Sequence, residues 1–395
     1  MMKFRVACLQ LNPKIGSFNE NAKRASSILS NYFSKHDSLS KKKLDLIVLP
    51  EFSLTGYNFS SKDHIRPYLE NISKGIESNN FDDCPSISWA IDLSNKYKCF
   101  TLIGYPEIHN GKNFNSTCLV HPNGSVAFNY RKSFLYDTDY QWDCQENPNG
   151  FQVFPVNLSD SVEGANDKNT KKTNVSIGIC MDLNPYKFEA PFMDFEFSTF
   201  CKTNHCSLIL CPMAWLNSSS PSLIPDKKSN QLNEKKNYYK NIFDAYEKDG
   251  NESNIEYNCD NSNTITKNNF NFDTQNEKFD YFKKNYSNLN YWILRFFPFI
   301  NTIYYKNSIE SFYLPQDKNE STHVIICNRV GIEDDILYGG SSSILKFNGK
   351  SPFASKDPGN DFSEYDITNS SIEILGSLNM GNEGILVRDI DISTT

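Results

Sequence analysis

Val175-Ser176-Ile177-Gly178-Ile179-Cys180-Met181-Asp182 is an apolar run of strand length that ends on a cysteine beside an acid. Its β-branched residues suit a buried pleated strand, so a strand is expected over 175–180. Working outward, similar short runs recur at 6–11, 46–49, 100–104, 117–121, 208–211, 324–327 and 385–387. Helical patterns lie between several of them. Residues 19–33 place Ala22, Ala25, Ile28, Leu29 and Tyr32 on one face, and 86–97 do the same with Ile87, Ala90, Ile91 and Leu93. The alternation predicts an α/β fold. Pro122-Asn123-Gly124, between 117–121 and 125–129, is a hairpin signal, because Asn-Gly supplies the positive φ of a tight turn. Some neighbouring strands are therefore antiparallel and the sheets mixed.

Two tracts interrupt the pattern. Residues 160–174 are polar, and 218–288 form a longer stretch rich in Asn, Lys, Ser and Asp. Such composition offers little apolar area to offset chain entropy, so both are expected to be polar, flexible insertions in one domain spanning 1–395. The aromatic segment 292–300 is far short of the roughly 20 residues of a membrane-spanning helix and is expected to be a core helix.

The net charge of -7 is spread rather than blocked, which excludes an electrostatic footprint for nucleic acid. The 11 cysteines form no small-scaffold disulfide framework and point to a reducing compartment. A cytoplasmic location is expected, with a mitochondrial fraction left open. Cys201, Cys206 and Cys211 lie near His205, but paired short-spaced ligand motifs are absent, so no metal is expected. No membrane partner is expected either.

Three segments carry candidate chemistry. The run 46–49 leads into Pro50-Glu51-Phe52-Ser53-Leu54-Thr55-Gly56-Tyr57, which sets Glu51 just past a strand end, where α/β proteins commonly build sites. Asn129-Tyr130-Arg131-Lys132-Ser133-Phe134-Leu135-Tyr136-Asp137 closes a strand on two cations. The third is the opening stretch with Cys180. Taken singly, each has a bland alternative: a solvated Glu, a surface ammonium, an inert buried thiol.

In this order the three segments resemble the nitrilase superfamily of carbon-nitrogen hydrolases, whose Glu, Lys and Cys each sit at a strand end. Cys211-Pro212-Met213-Ala214-Trp215 is similar to the segment after that family's nucleophile. Cys327-Asn328-Arg329-Val330-Gly331 with Gly340-Ser341-Ser342-Ser343 is similar to its later core motif. The fuller wording Leu49-Pro50-Glu51-Phe52, Trp142-Asp143-Cys144, Gly178-Ile179-Cys180-Met181-Asp182-Leu183 and Tyr291-Trp292-Ile293-Leu294-Arg295-Phe296-Phe297-Pro298 resembles the fungal protein N-terminal amidase branch. That resemblance implies a four-layer α-β-β-α sandwich and no metal or organic cofactor. It implies catalysis by Glu51, Lys132 and Cys180, with protein N-termini bearing Asn or Gln as substrates. The products, Asp and Glu, would feed the arginylation branch of N-degron degradation. Oligomeric state stays open.

A free thiol with a pKa near about 8.5 is mostly protonated at neutral pH and needs a base. With the roles the resemblance implies, Glu51 takes the Cys180 proton, the sulfur attacks the amide carbon, and Lys132 with a backbone N–H near Met181 holds the oxyanion. Replacing Lys132 is then expected to be severe for rate but harmless to folding. Many superfamily members carry a second glutamate seven residues after the lysine. Here Asp139 stands there, and Glu146 is the alternative. The substrate α-ammonium needs carboxylate or carbonyl acceptors, for which Asp182 is a candidate, although it could instead hold a backbone N–H or Arg295. Trp215 could wall the pocket. Two other readings are a small-molecule amidase or carbamoylase of the same superfamily, and an inactive interaction protein on the same fold.

Overall fold

Phe4, Val6 and Cys8 leave the first strand on one face and Ala7 and Leu9 on the other, and all five are fully buried. A strand covered on both faces must lie inside a layered structure. The computed structural model describes residues 2–36, 43–158, 172–248, 256–258, 282–300, 321–348 and 372–392. In chain order the strands are β1 (Met2–Gln10), β2 (Leu46–Val48), β3 (Phe100–His109), β4 (Lys112–Val120), β5 (Val126–Arg131), β6 (Val153–Val156), β7 (Thr173–Ile177) and β8 (Leu208–Met213). They continue with β9 (Glu256–Asn258), β10 (Thr322–Asn328), β11 (Ile332–Glu333), β12 (Ile336–Leu337), β13 (Ser343–Phe347), β14 (Ile372–Ser377) and β15 (Gly384–Ile392).

One sheet runs β5-β4-β3-β2-β1-β15-β9 and the other β14-β13-β10-β8-β7-β6, with β11 and β12 a separate small ribbon. Both sheets are mixed. β1, β2 and β3 are parallel neighbours, while β15 and β4 join antiparallel. The expected hairpin joins β4 to β5, with Gly124 at φ 84 in its turn.

The two faces of β1 explain the layering. Phe4, Val6 and Cys8 enter the core shared with Ile177, Leu210, Val324 and Ile326 of the second sheet. Ala7 and Leu9 pack instead with Ala25, Ile28 and Leu29 of helix Phe18–His36 and with Ile87 and Ala90 of helix Pro85–Tyr97. Beyond the second sheet lie helices Glu196–Thr203, Tyr286–Arg295 and Phe297–Ile300. Phe296 and Phe299 set their rings 5.7 and 5.8 Å from Phe347 of β13. The order helix, sheet, sheet, helix is the four-layer α-β-β-α sandwich.

The polar tract 218–288 departs from expectation. Asn230–Lys248 is a 19-residue helix whose Leu232, Tyr239 and Phe243 are buried, the two aromatics against Leu337 of β12. Their spacing makes a narrow helical stripe, which an averaged composition dominated by Asn and Lys conceals. Helix Tyr286–Arg295 also begins inside the tract, and Asn285 caps it by accepting the Asn288 N–H at 3.0 Å. Residues 249–255 and 259–281 lie outside the described residues, as do 159–171 of the other tract, where β7 already begins at Thr173. No helix among the described residues is long and apolar enough to cross a membrane, and none of their His, Cys, Asp and Glu groups could hold a metal ion.

Candidate active site

Glu51 reaches the site because β3 lets the backbone after β2 lie against it. A Cβ at Gly104 would fall 2.7 Å from the Pro50 carbonyl oxygen, 2.8 Å from the Phe52 nitrogen and 2.9 Å from the Glu51 Cα. Only glycine permits that approach. The turn is then tied down by the Ser53 N–H donating to the Gly104 carbonyl at 3.0 Å. Lys132 follows β5 directly, and its N–H donates to the Asn115 carbonyl of β4 at 2.8 Å.

The expected strand over 175–180 stops earlier, at Ile177. Gly178 is pressed against the ring of Phe197, where a Cβ would come within 2.6 Å. The chain then turns into a single 3-10 turn, Cys180–Leu183, with Cys180 at φ 44. Left-handed backbone at a non-glycine residue is unfavourable and concentrates at functional sites.

Asp182 holds this turn in place. Its Oδ1 accepts the N–H groups of Ser133 and Phe134 at 2.9 and 2.7 Å, and its Oδ2 accepts the Ile179 N–H and the Tyr130 hydroxyl, both at 2.8 Å. One carboxylate thus ties the cysteine turn to the residue after Lys132. Burial nevertheless pushes its carboxyl up to about 7, against the lowering by those bonds. Its oxygens are thus engaged by four donors within the fold, and Asp182 is not among the residues that line the cavity. Its partners are three backbone N–H groups and the Tyr130 hydroxyl rather than Arg295, whose guanidinium bonds the Leu183 carbonyl at 2.6 Å and Glu196 at 3.2 Å.

Around Lys132 the charges close on one another. Its Nζ donates to Glu51 Oε1 at 2.7 Å and to Asp139 Oδ2 at 2.8 Å, and all three side chains are fully buried. Glu51 Oε2 accepts the Ala214 N–H at 2.8 Å. Asn115 Nδ2 bridges Glu51 Oε1 at 2.7 Å and Asp139 Oδ1 at 3.1 Å, leaving its own Oδ1 buried without a partner. Tyr57 donates to Asp139 Oδ1 at 3.3 Å, and Lys132 Nζ stands 5.6 Å from the centre of its ring. Asp139 therefore takes the place beside the lysine. Glu146 does not join it, and instead accepts the Tyr186 hydroxyl at 3.0 Å.

Burial raises the Glu51 carboxyl; Lys132 opposes this and Asp139 adds to it. Burial lowers the Lys132 ammonium, but Asp139 and Glu51 together leave it well above the ordinary lysine value. The Cys180 thiol is pushed well up by burial and by Glu51, with Lys132 and a hydrogen bond from Ala214 pulling the other way. Burial and the neighbouring charges thus favour the neutral thiol at Cys180 and raise the basicity of the Glu51 carboxyl. Lys132 is the buried counter-ion of two carboxylates, so its replacement is expected to cost stability as well as rate, against the sequence-based expectation of a harmless change to folding.

Cys180 opens into a cavity of about 340 Å³, also lined by Met181, Asn184, Trp215, Asn288 and Tyr291. Trp215 does wall it, 5.6 Å ring to ring from Tyr291 and 6.0 Å from Trp292. Tyr291 donates to Asn184 Oδ1 at 2.7 Å. Sequence reasoning missed Asn115, Tyr57, Asn184 and Asn288, because lone amides and a single tyrosine carry no motif of their own. Only the pairing of β4 with β5 brings Asn115 opposite the lysine.

A cysteine in the turn after β7, beside a buried Glu–Lys pair on a fold of two mixed sheets flanked by helices, is the arrangement of a hydrolase of carbon-nitrogen bonds. The carbon-nitrogen hydrolase family profile matches residues 5–184, and the chain belongs to that family within the nitrilase superfamily. More narrowly, it is 37% identical to the Saccharomyces cerevisiae protein named Protein N-terminal amidase, across 99% of this chain and 95% of that one. Crystal structures of N-terminal amidase with a Gln-Gly peptide and with an Asn-Glu peptide match at 36% and 35% identity, each with a TM-score of 0.75 and covering 98% of this chain and 97% of the other.

Proposed function

We propose that the protein hydrolyses the side-chain amide of N-terminal Asn and Gln on proteins and peptides, giving Asp and Glu and releasing ammonia. The observation that carries this is the buried Glu51–Lys132 pair beside Cys180, which itself lines a cavity. The similarity to N-terminal amidase structures holding Gln- and Asn-initiated peptides supports it.

Glu51 accepts the Cys180 proton as the sulfur attacks the amide carbon, forming the S–C bond and placing negative charge on the amide oxygen. The Lys132 ammonium and the N–H of Met181 stabilise that oxygen. When the intermediate collapses, Glu51 returns its proton to the nitrogen, the C–N bond breaks and ammonia leaves a thioester on Cys180. Glu51 then takes a proton from water, whose oxygen attacks the thioester, and the thiol is restored as the acid product departs. Asp139 keeps Lys132 charged and aimed, a supporting role rather than a direct one. Among the described residues no charged side chain lines the cavity, so the substrate α-ammonium falls to neutral acceptors such as the carbonyl oxygens of Asn184 and Asn288. The described cysteines are all free, which fits work in a reducing compartment on chains entering the N-degron route.

The test is a panel of short peptides bearing N-terminal Asn, N-terminal Gln or internal Asn, with ammonia release and product mass followed for the wild type and Cys180→Ala. Turnover confined to the N-terminal amides and lost in the variant is expected. Activity on free small amides alone would contradict the assignment.

A further inference from the structure

We propose that Phe188 and Leu223 form a seat for the side chain of the substrate's second residue, and that this seat selects an apolar residue there. The proposal rests on the amidase reading above, since it needs a peptide whose first residue fills the cavity.

The cavity sorts its lining by depth. Cys180, Met181, Asn184 and Ala214 are buried, and the lining residues exposed to solvent are Phe188, Ser218, Leu223 and Ser287. With the amide carbon at Cys180, the next residue of the chain must leave past these four. Two are hydroxyls, two are large apolar side chains, and none is charged. Phe188 and Leu223 are 58% and 52% exposed, unusual for side chains of their size in a cavity wall.

Phe188 is held there against the preference of its own backbone. Lys187 and Phe188 have φ of 53 and 56, two successive left-handed residues with no glycine between them. Neighbouring bonds enforce the turn. The Tyr186 N–H donates to Glu196 Oε1 at 3.0 Å, the Tyr186 hydroxyl to Glu146 Oε1 at 3.0 Å, and the Phe188 N–H to the Pro185 carbonyl at 2.9 Å. The Phe188 ring meets Tyr136, another lining residue, edge-on at 6.4 Å. Strain of this kind persists where surrounding structure over-determines it, commonly at ligand clamps.

Of the cations near the seat, Lys227 donates to the Ser222 carbonyl and stands 3.6 Å from Asp335, while Lys187 lies with its Nζ 5.1 Å from the Tyr186 ring centre and is itself exposed. An acidic second residue paired with it would gain roughly fivefold at most, screened by salt. Covering two half-exposed apolar side chains favours an aliphatic or aromatic residue by about tenfold over glycine or aspartate.

The experiment measures kcat/KM of the full chain on otherwise identical peptides beginning Asn-Leu, Asn-Gly and Asn-Asp. The expected result is about a tenfold preference for Asn-Leu, falling to twofold or less in the double variant Phe188→Ser, Leu223→Ser. Ile76→Ser, which alters an exposed apolar residue outside the cavity lining, keeps the preference. Turnover of all three peptides with a ratio below twofold in the wild type, or a ratio unchanged in the double variant, would overturn the proposal alone. Failure to turn over any of the three would overturn it together with the amidase reading.

Discussion

The Nζ of Lys132 lies 2.7 Å from Oε1 of Glu51, with both side chains sealed from solvent. Asp139 completes the cluster at 2.8 Å, so a single ammonium is shared between two buried carboxylates. Lys132→Met removes that ammonium and leaves both uncompensated, which should cost about 3–5 kcal/mol of stability as well as turnover. Denaturant unfolding checks it. The deficit should narrow as pH falls, since the carboxylates of the folded variant then take up protons more readily than those of the unfolded chain. A variant as stable as wild type at neutral pH would contradict the pairing.

The acid limb of activity follows from Glu51. Burial, first, and the Asp139 charge, third after the opposing Lys132, hold its carboxyl above the ordinary value. On the proposed mechanism Glu51 must be ionised to act as base, so activity is full above the folded-state pKa and is lost as pH falls through it. The limb of kcat/KM is expected above about 4.3, the free glutamate value. Asp139→Asn removes a charge that raises Glu51, so the limb should move to lower pH while kcat falls by about 10². A limb that stays put or moves upward contradicts this arrangement.

Glu51 also governs the thiol. Its carboxylate helps hold Cys180 in the protonated form, whereas Lys132 favours the thiolate. Glu51→Gln should therefore abolish turnover yet shift the pH profile of Cys180 alkylation by iodoacetamide to lower pH. A shift to higher pH would mean that the resting pair is thiolate and protonated Glu51.

Gly104→Ala tests the packing beneath Glu51. Its Cβ would meet backbone at 2.7–2.9 Å, with no flexible side chain to give way. Overpacking of this kind typically costs about 1–3 kcal/mol, and the displaced Glu51 should lower kcat more than it raises KM. Thermal unfolding and steady-state kinetics on the same preparation separate the two effects.

Much of this architecture is legible from the alternation of apolar runs: β2 lies within the stretch read as a strand, and β1, β3, β8 and β10 overlap theirs while running beyond them. The reading overran at Cys180, because the residues after Ile177 remain apolar while the Phe197 ring beside Gly178 turns the chain, a tertiary contact invisible to local periodicity. Helix Asn230–Lys248 was hidden for the opposite reason, its three buried residues diluted among polar ones. At the site, Glu51, Lys132 and Cys180 stand out through strand ends and resemblance. Choosing Asp139 over Glu146, and recognising Asp182 as a tie between two loops, required the hydrogen bonds themselves.

The most direct test of the mechanism is intact-mass spectrometry of the enzyme quenched during turnover of an N-terminal Gln peptide. An adduct equal to the peptide less ammonia, mapped to Cys180, released by hydroxylamine and absent from Cys180→Ala, is the predicted result. Turnover that persists in Cys180→Ala, or an adduct mapped to another residue, would contradict it.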